Sequence, residues 1–276
     1  MDKILYVTDA VRLNRSCVEF ACYLCNLTHS HLTGIFLENR ELELRSHEQI
    51  NEIAGMPSIP GGRLDEQKGL YRDDSIRRFT HTCGYNGVNC ITHINPGTPL
   101  TEVVTESRYA DLIVVDAASS FKGKEEAVPS TFAVDLLKHS ECPVIIAPDS
   151  FNGVEEIVFA FNGSATAMFA IKQFTYLFPE LSHHKATLLV VSENGKKIEN
   201  EVWLKEWLDD HYDDVEIDIQ ENARAGEGLL EQLFKKDNAI IVMGAFGRSA
   251  MSELFIPNPG HAVVRMVNQP IFIAHA

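Results

Sequence analysis

The chain repeats itself, and this duplication constrains its fold more than any other feature of the sequence. Near the start, Ile4-Leu5-Tyr6-Val7-Thr8-Asp9 is followed by a polar gap and a helical pattern running through residue 27. Near the middle, Ile157-Val158-Phe159-Ala160-Phe161-Asn162-Gly163-Ser164 precedes a second such pattern, with Ala167, Ala170, Ile171 and Phe174 on one face. Each reads as strand, turn and helix. The ends of the halves match too: Ala110-Asp111-Leu112-Ile113-Val114-Val115-Asp116 answers Asn238-Ala239-Ile240-Ile241-Val242-Met243-Gly244, and Cys142-Pro143-Val144-Ile145-Ile146-Ala147 answers Gln269-Pro270-Ile271-Phe272-Ile273-Ala274.

The duplication predicts two α/β domains, 1–148 and 153–276, joined by the turn-forming stretch Pro148-Asp149-Ser150-Phe151-Asn152-Gly153. Strands over 157–161, 186–192, 215–219, 239–243 and 270–274 alternate with helices over 165–178, 198–211, 226–235 and 260–268. Short apolar runs separated by amphipathic helices call for parallel strands covered on both faces. The first half repeats this pattern, with helix expected over Phe132–His139 and an extra segment near 40–75. That segment, with Gly55-Met56-Pro57 and Ile59-Pro60-Gly61-Gly62, reads partly as a loop and as a surface insertion, the other reading being a lid or contact surface.

Charge and cysteine usage exclude several function classes. The 276 residues carry 24 Lys/Arg against 39 Asp/Glu, a formal charge of −15. The excess is spread over both halves, with 14 basic against 21 acidic residues in 1–150 and 10 against 18 in 151–276. Neither half offers the basic face that a phosphate backbone or anionic membrane needs. No apolar stretch reaches the roughly 20 residues that span a bilayer. The start moves directly into a β-like run without a secretory layout, so a cytoplasmic location is expected. Cys22-x-x-Cys25 has redox or zinc spacing, but no second pair completes a ligand set and its helical pattern buries both thiols, so they read as small core residues. No metal set is expected elsewhere: the acidic cluster Asp209, Asp210, Asp213 and Asp214 reads as a solvated helix end, and Trp203/Trp207 as a packing stripe.

In a parallel sheet, ligands bind beyond the carboxyl ends of the strands where the strand order reverses. The loops at such ends are Asn162-Gly163-Ser164 and Gly244-Ala245-Phe246-Gly247-Arg248-Ser249 in the second half. Glycines there let backbone N–H groups approach an anion, and Arg248 adds a charge-assisted contact.

The duplicated pattern, the Gly244-x-x-Gly247 loop after Ile-Ile-Val-Met, and the Asn268-Gln269-Pro270 ending resemble the universal stress protein family, over both halves of the chain. The resemblance implies two tandem doubly wound, Rossmann-like parallel sheets of strand order 3-2-1-4-5. It implies pairing through the last strands, as a homodimer or an intramolecular pseudo-dimer. It also implies an ATP- or AMP-class adenine nucleotide, with Mg2+ for a triphosphate, held by a strand-one Asp and a Gly-x2-Gly-x9-Gly-Ser/Thr loop. In the first half Asp9 matches the acid, but the loop reads Asp116-Ala117-Ala118-Ser119. A carboxylate 4 Å from a phosphate charge costs about 4 kcal/mol at an effective dielectric of 20. Ser130-Thr131, near the final motif position, do not rescue that site.

The second half keeps Gly244 and Gly247, with Asn162 for the Asp. Where the family has Gly-Ser/Thr it reads Pro257-Asn258-Pro259-Gly260. Two prolines remove up to two N–H donors worth roughly 1.5–3 kcal/mol each. The implied nucleotide residues are Asn162, Gly163, Ser164 and Val191 with Gly244, Gly247, Arg248, Ser249, Asn258 and Gly260. No P-loop, dinucleotide fingerprint or nucleophile elbow occurs, and no base, nucleophile or metal set points to turnover beyond slow ATP hydrolysis. The expectation is a stress-response protein sensing an adenine nucleotide in its second half. The alternative is a scaffold acting through protein contacts or another small ligand.

Overall fold

The computed structural model describes residues 1–39, 46–55, 64–122, 126–192, 200–222, 225–244 and 268–274. They form two compact units, Met1–Cys142 and Pro143–Ala276. The first contains β1 (Lys3–Asp9), α1 (Arg15–Thr28), β2 (His31–Glu38), α2 (His47–Ala54), α3 (Leu64–Tyr85), β3 (Cys90–Pro96), α4 (Pro99–Ser107), β4 (Leu112–Asp116) and α5 (Thr131–His139). Its strands lie in the order β3-β2-β1-β4, all parallel.

The second unit contains β5 (Val144–Ala147), β6 (Glu156–Ala160), α6 (Ala165–Leu177), β7 (Lys185–Ser192), α7 (Glu201–Asp209), β8 (Asp214–Glu221), α8 (Ala225–Leu233), β9 (Ala239–Gly244) and β10 (Ile271–Ala274). Counted from β6, the order β8-β7-β6-β9-β10 is the doubly wound 3-2-1-4-5, with every neighbouring pair parallel. β5 adds a sixth strand, antiparallel to β10, with Phe272 opposite Ile145. The helix expected over 260–268 falls almost wholly outside the described residues.

Burial explains the sequence pattern. Ile4 to Val7, Leu112 to Val115, Ile157 to Phe159 and Ile240 to Val242 are fully buried, as strands covered by helices on both faces must be. The edge strands β3 and β8 alternate instead, and expose Ile91, Ile94 and Ile219. Among the described residues no helix is long and apolar enough to cross a membrane.

The segment near 40–75 departs from its loop-like reading. Its described part is helical: α2 begins with a capping box, Ser46 and Gln49 each serving the other's backbone N–H, and ends on Gly55 in the left-handed region (φ 64°). α3 runs for 22 residues and buries Gln67, Tyr71, Ser75, Phe79 and Cys83, a stripe at four-residue spacing. Arg72 ties it to Glu38 at the end of β2 (2.8 Å). Phe79 stacks on Tyr6 (5.7 Å between centroids) and meets Phe36 edge-on (5.6 Å). This packing requires Gly34, because a Cβ there would lie 2.8 Å from the Phe79 ring. That ring is fully buried between two aromatic partners in a close-packed interior. Gly34→Ala is therefore expected to cost about 1–3 kcal/mol, read as a lower urea midpoint with an unchanged slope.

Candidate functional site

Each unit has a point where the strand order turns back, β1 between β2 and β4 in the first and β6 between β7 and β9 in the second. The loops there begin alike. Asp9 Oδ1 accepts the N–H of Val11 (2.9 Å), and Asn162 Oδ1 accepts the N–H of Ser164 (3.1 Å). Both are turns in which a side-chain carbonyl oxygen stands in for backbone, a role Asp and Asn fill equally. Beyond this shared turn the crevices differ.

In the first unit the chain fills its own crevice. Asn14 caps α1 by accepting from Cys17 N–H and donates Nδ2–H to Asp116 Oδ2 at the end of β4 (2.7 Å). Asp116 Oδ1 accepts from Ala118 N–H (2.8 Å), so both carboxylate oxygens are engaged. Above the loop after β1, Val11 packs in a buried cluster with Ile50 of α2 and Tyr71 of α3, and the Tyr71 hydroxyl reaches Asn51 Oδ1 (2.5 Å). The insertion is therefore a packed cover for this unit rather than a surface decoration.

A second internal carboxylate sits at the start of α5. Glu126 accepts hydrogen bonds from the hydroxyls of Ser120 and Thr131 and pairs with Lys122 (3.0 Å). Burial alone would raise its pKa, but these hydrogen bonds and the Lys122 charge outweigh it and hold the carboxyl at about 2. Ser130 spends its hydroxyl on capping α5 through Ala133 N–H and on the carbonyl of Ser119. The polar groups at this helix start already have an anion of their own, where the helix field favours one.

In the second unit no such plug exists among the described residues. Asn162 and Gly163 are exposed, and Gly163 adopts φ 81° in the turn leading to Ser164, which caps α6 through Ala167 N–H (3.1 Å). The first turn of α6 carries no acidic residue. Gly244 ends β9 directly beside that turn: a Cβ there would lie 2.7 Å from the backbone of Thr166. The glycine lets strand end and helix start meet backbone to backbone.

The structure thus brings Gly244 to the α6 start that follows Asn162, Gly163 and Ser164. Val191 lies half-buried near the end of β7, which flanks β6. Gly247, Arg248, Ser249, Asn258 and Gly260 lie outside the described residues. Asn162 Oδ1 and the Ser164 hydroxyl are used within the turn and cap, so an incoming group meets the Asn162 amide nitrogen and the loop backbone. Asn14 and Glu126, which close the first unit, are not found by motif alone. Asn14-x-x-Cys17 has N-cap spacing, whereas Glu126 has no sequence signature.

A doubly wound α/β chain with two switch-point crevices is the class these observations define. No protein-family model and no curated protein sequence matches the chain. Among solved structures it is similar to a universal stress protein from Archaeoglobus fulgidus DSM 4304, at 16% identity, covering 99% of this chain and 96% of that one with a TM-score of 0.68. It is also similar to a functionally unknown protein from Pseudomonas aeruginosa PAO1, at 15% identity, covering 100% and 92% with a TM-score of 0.55. The chain has the universal stress protein fold, in two tandem copies.

Two outcomes test the first unit's closure. Asn14→Ala removes a helix cap and a carboxylate partner together and is expected to cost about 1–2 kcal/mol by denaturant titration. Glu126 has a folded pKa below its ordinary 4.5, so its stabilisation is full above pH 4.5 and is lost as pH falls toward 2. Glu126→Gln should remove about one proton from the uptake on acid unfolding in that window, measured as a shallower pH dependence of stability.

Proposed function

We propose that this chain is a stress-response binding protein of the universal stress protein family, and that its second unit takes an adenine nucleotide of the ATP or AMP class. The observation that carries this reading is the contrast between the crevices: carboxylates of the chain occupy the first, while the described walls of the second are glycine, amide and a serine-capped helix start with no acidic residue in its first turn. Asn162 and Val191 would face the nucleoside. Gly244 allows the close approach of strand and helix, and Gly247, Arg248 and Ser249 would meet the phosphates, with Mg2+ accompanying a triphosphate. The first unit serves as structural partner. Occupancy would tie the loops after β6 and β9 together and so bias the geometry offered to a second copy or another protein. Nothing in the residues calls for turnover, and the cytoplasm suits both the fold and the free thiols.

A second reading is a scaffold without nucleotide, and it has an observation of its own. Asn162 and Ser164 already spend hydrogen bonds inside the loop, and Pro257 and Pro259 withhold two donors. Calorimetric titration with ATP, ADP and AMP, with and without magnesium, separates the two. Saturable binding at one site is expected, abolished by Gly247→Asp and unchanged by Asp116→Asn. Absence of heat and of thermal shift at millimolar nucleotide overturns the nucleotide reading in favour of the scaffold. Gly244 is unsuitable for this test, because its substitution breaks the α6 contact whether or not a ligand binds.

A further inference from the structure

Four of the six cysteines converge in the first unit from three elements. Cys22 and Cys25 lie on α1, Cys83 near the end of α3, and Cys90 at the start of β3. Cys22 and Cys83 are fully buried, and their sulfurs are 4.0 Å apart in a thiol hydrogen bond. Cys90 is partly exposed, shares a hydrogen bond with Cys83 and lies near enough to Cys25 to bear on it electrostatically, so it marks the solvent edge of the cluster. The second pair that the sequence pattern around Cys22-x-x-Cys25 does not supply is therefore supplied by folding. Among the described residues, however, no group of three or more His, Cys, Asp or Glu is arranged to hold a metal ion. What the cluster offers is thiol chemistry, with Cys22 and Cys83 as its fully buried pair in contact.

We propose that Cys22 and Cys83 form a redox-responsive dithiol, which hydrogen peroxide converts to a disulfide joining α1 to α3. The four thiols are not equivalent. The hydrogen bond shared by the two thiols lowers the Cys22 pKa, and the same bond, with burial, raises that of Cys83. Cys22 is thus the nucleophile and Cys83 the resolving thiol. Burial pushes Cys25 up to about 12 and leaves it a protonated bystander. The Cys22 thiolate attacks one peroxide oxygen, the O–O bond breaks, and the hydroxide released takes up a proton to become water. Cys22 is then a sulfenic acid, S–OH. Cys83 attacks that sulfur, the S–S bond forms as the S–O bond breaks, and the departing hydroxide takes the Cys83 proton. In sum two thiols lose two electrons and two protons, and one peroxide becomes two waters. Closing 4.0 Å to the roughly 2.05 Å of a disulfide asks for about 2 Å of travel shared by two side chains.

The crosslink would act on the cover of the first unit. α3 carries Phe79 over Gly34 and Tyr71 over the loop after β1, so bonding its end to α1 fixes both. The chain would hold its first unit closed more firmly when oxidised.

The test is peroxide treatment of the folded, reduced protein, followed by N-ethylmaleimide alkylation in denaturant, digestion and mass spectrometry. Alkylatable thiols should fall from six to four, with a Cys22–Cys83 linked peptide that disappears on reduction. Cys90→Ser should form the same crosslink and fall from five to three. Cys83→Ser should accumulate a Cys22 sulfenic acid that dimedone traps, which a merely structural contact would not yield. Oxidation confined to Cys90, a crosslink between any other pair, or six thiols remaining after exposure overturns the proposal. These readouts on the wild-type chain stand even if a cysteine variant fails to fold.

Discussion

Where a parallel sheet reverses its strand order, two strand ends diverge and a helix start points its unpaired N–H groups into the gap. Those groups and the strand-end carbonyls need partners, and the choice of partner organises everything around them. The first unit supplies its own. Asp116 reaches back to Asn14 at the α1 cap, Glu126 settles at the start of α5, and the Val11–Ile50–Tyr71 cluster covers the loop between. An unpaired polar group in such a place would cost about 1–3 kcal/mol, which these internal bonds avoid. The second unit, over its described residues, leaves the crevice without an acidic side chain at the helix start.

Much of this fold is legible in the amino-acid sequence. Strands buried on both faces read as continuous apolar runs, and the helices α1, α6 and α7 announce themselves through apolar positions at helical spacing. α3 does not, and its burial shows why. The inward stripe is Gln67, Tyr71, Ser75, Phe79 and Cys83, so three of its five members are polar or small and the hydrophobic period vanishes into a mixed-charge background. α2 is hidden differently: its eight residues give too few turns for a period, although Ser46-x-x-Gln49 spells its capping box.

The site is legible only as far as local motifs carry. Asp9 and Asn162 can be matched because both begin the same turn, and Gly244 because it ends a strand. Glu126 cannot, since its partners Ser120, Lys122 and Thr131 come together only once the chain around them folds onto α5. The thiol cluster escapes for the same reason. Cys22-x-x-Cys25 suggests a partnership within one helix, yet the sulfur in contact with Cys22 comes from a helix 61 residues further along.

The duplicated position at the end of the fourth strand shows how one fold yields two kinds of crevice. Asp116 and Gly244 are equivalent by repeat, and each faces the start of the helix that follows the strand beside it, α1 after β1 and α6 after β6. In the first unit the gap is wide enough for a carboxylate and an amide, and the Asn14–Asp116 bond spans it. In the second the gap is closed by backbone, and even a methyl group would collide with Thr166. An aspartate at position 244 is thus excluded by sterics before any electrostatic argument applies. Among the described residues no carboxylate stands at the α6 start, whereas Asp116 stands beside the α1 start. Local packing at one residue therefore decides which of the two strand ends can carry a carboxylate at this position.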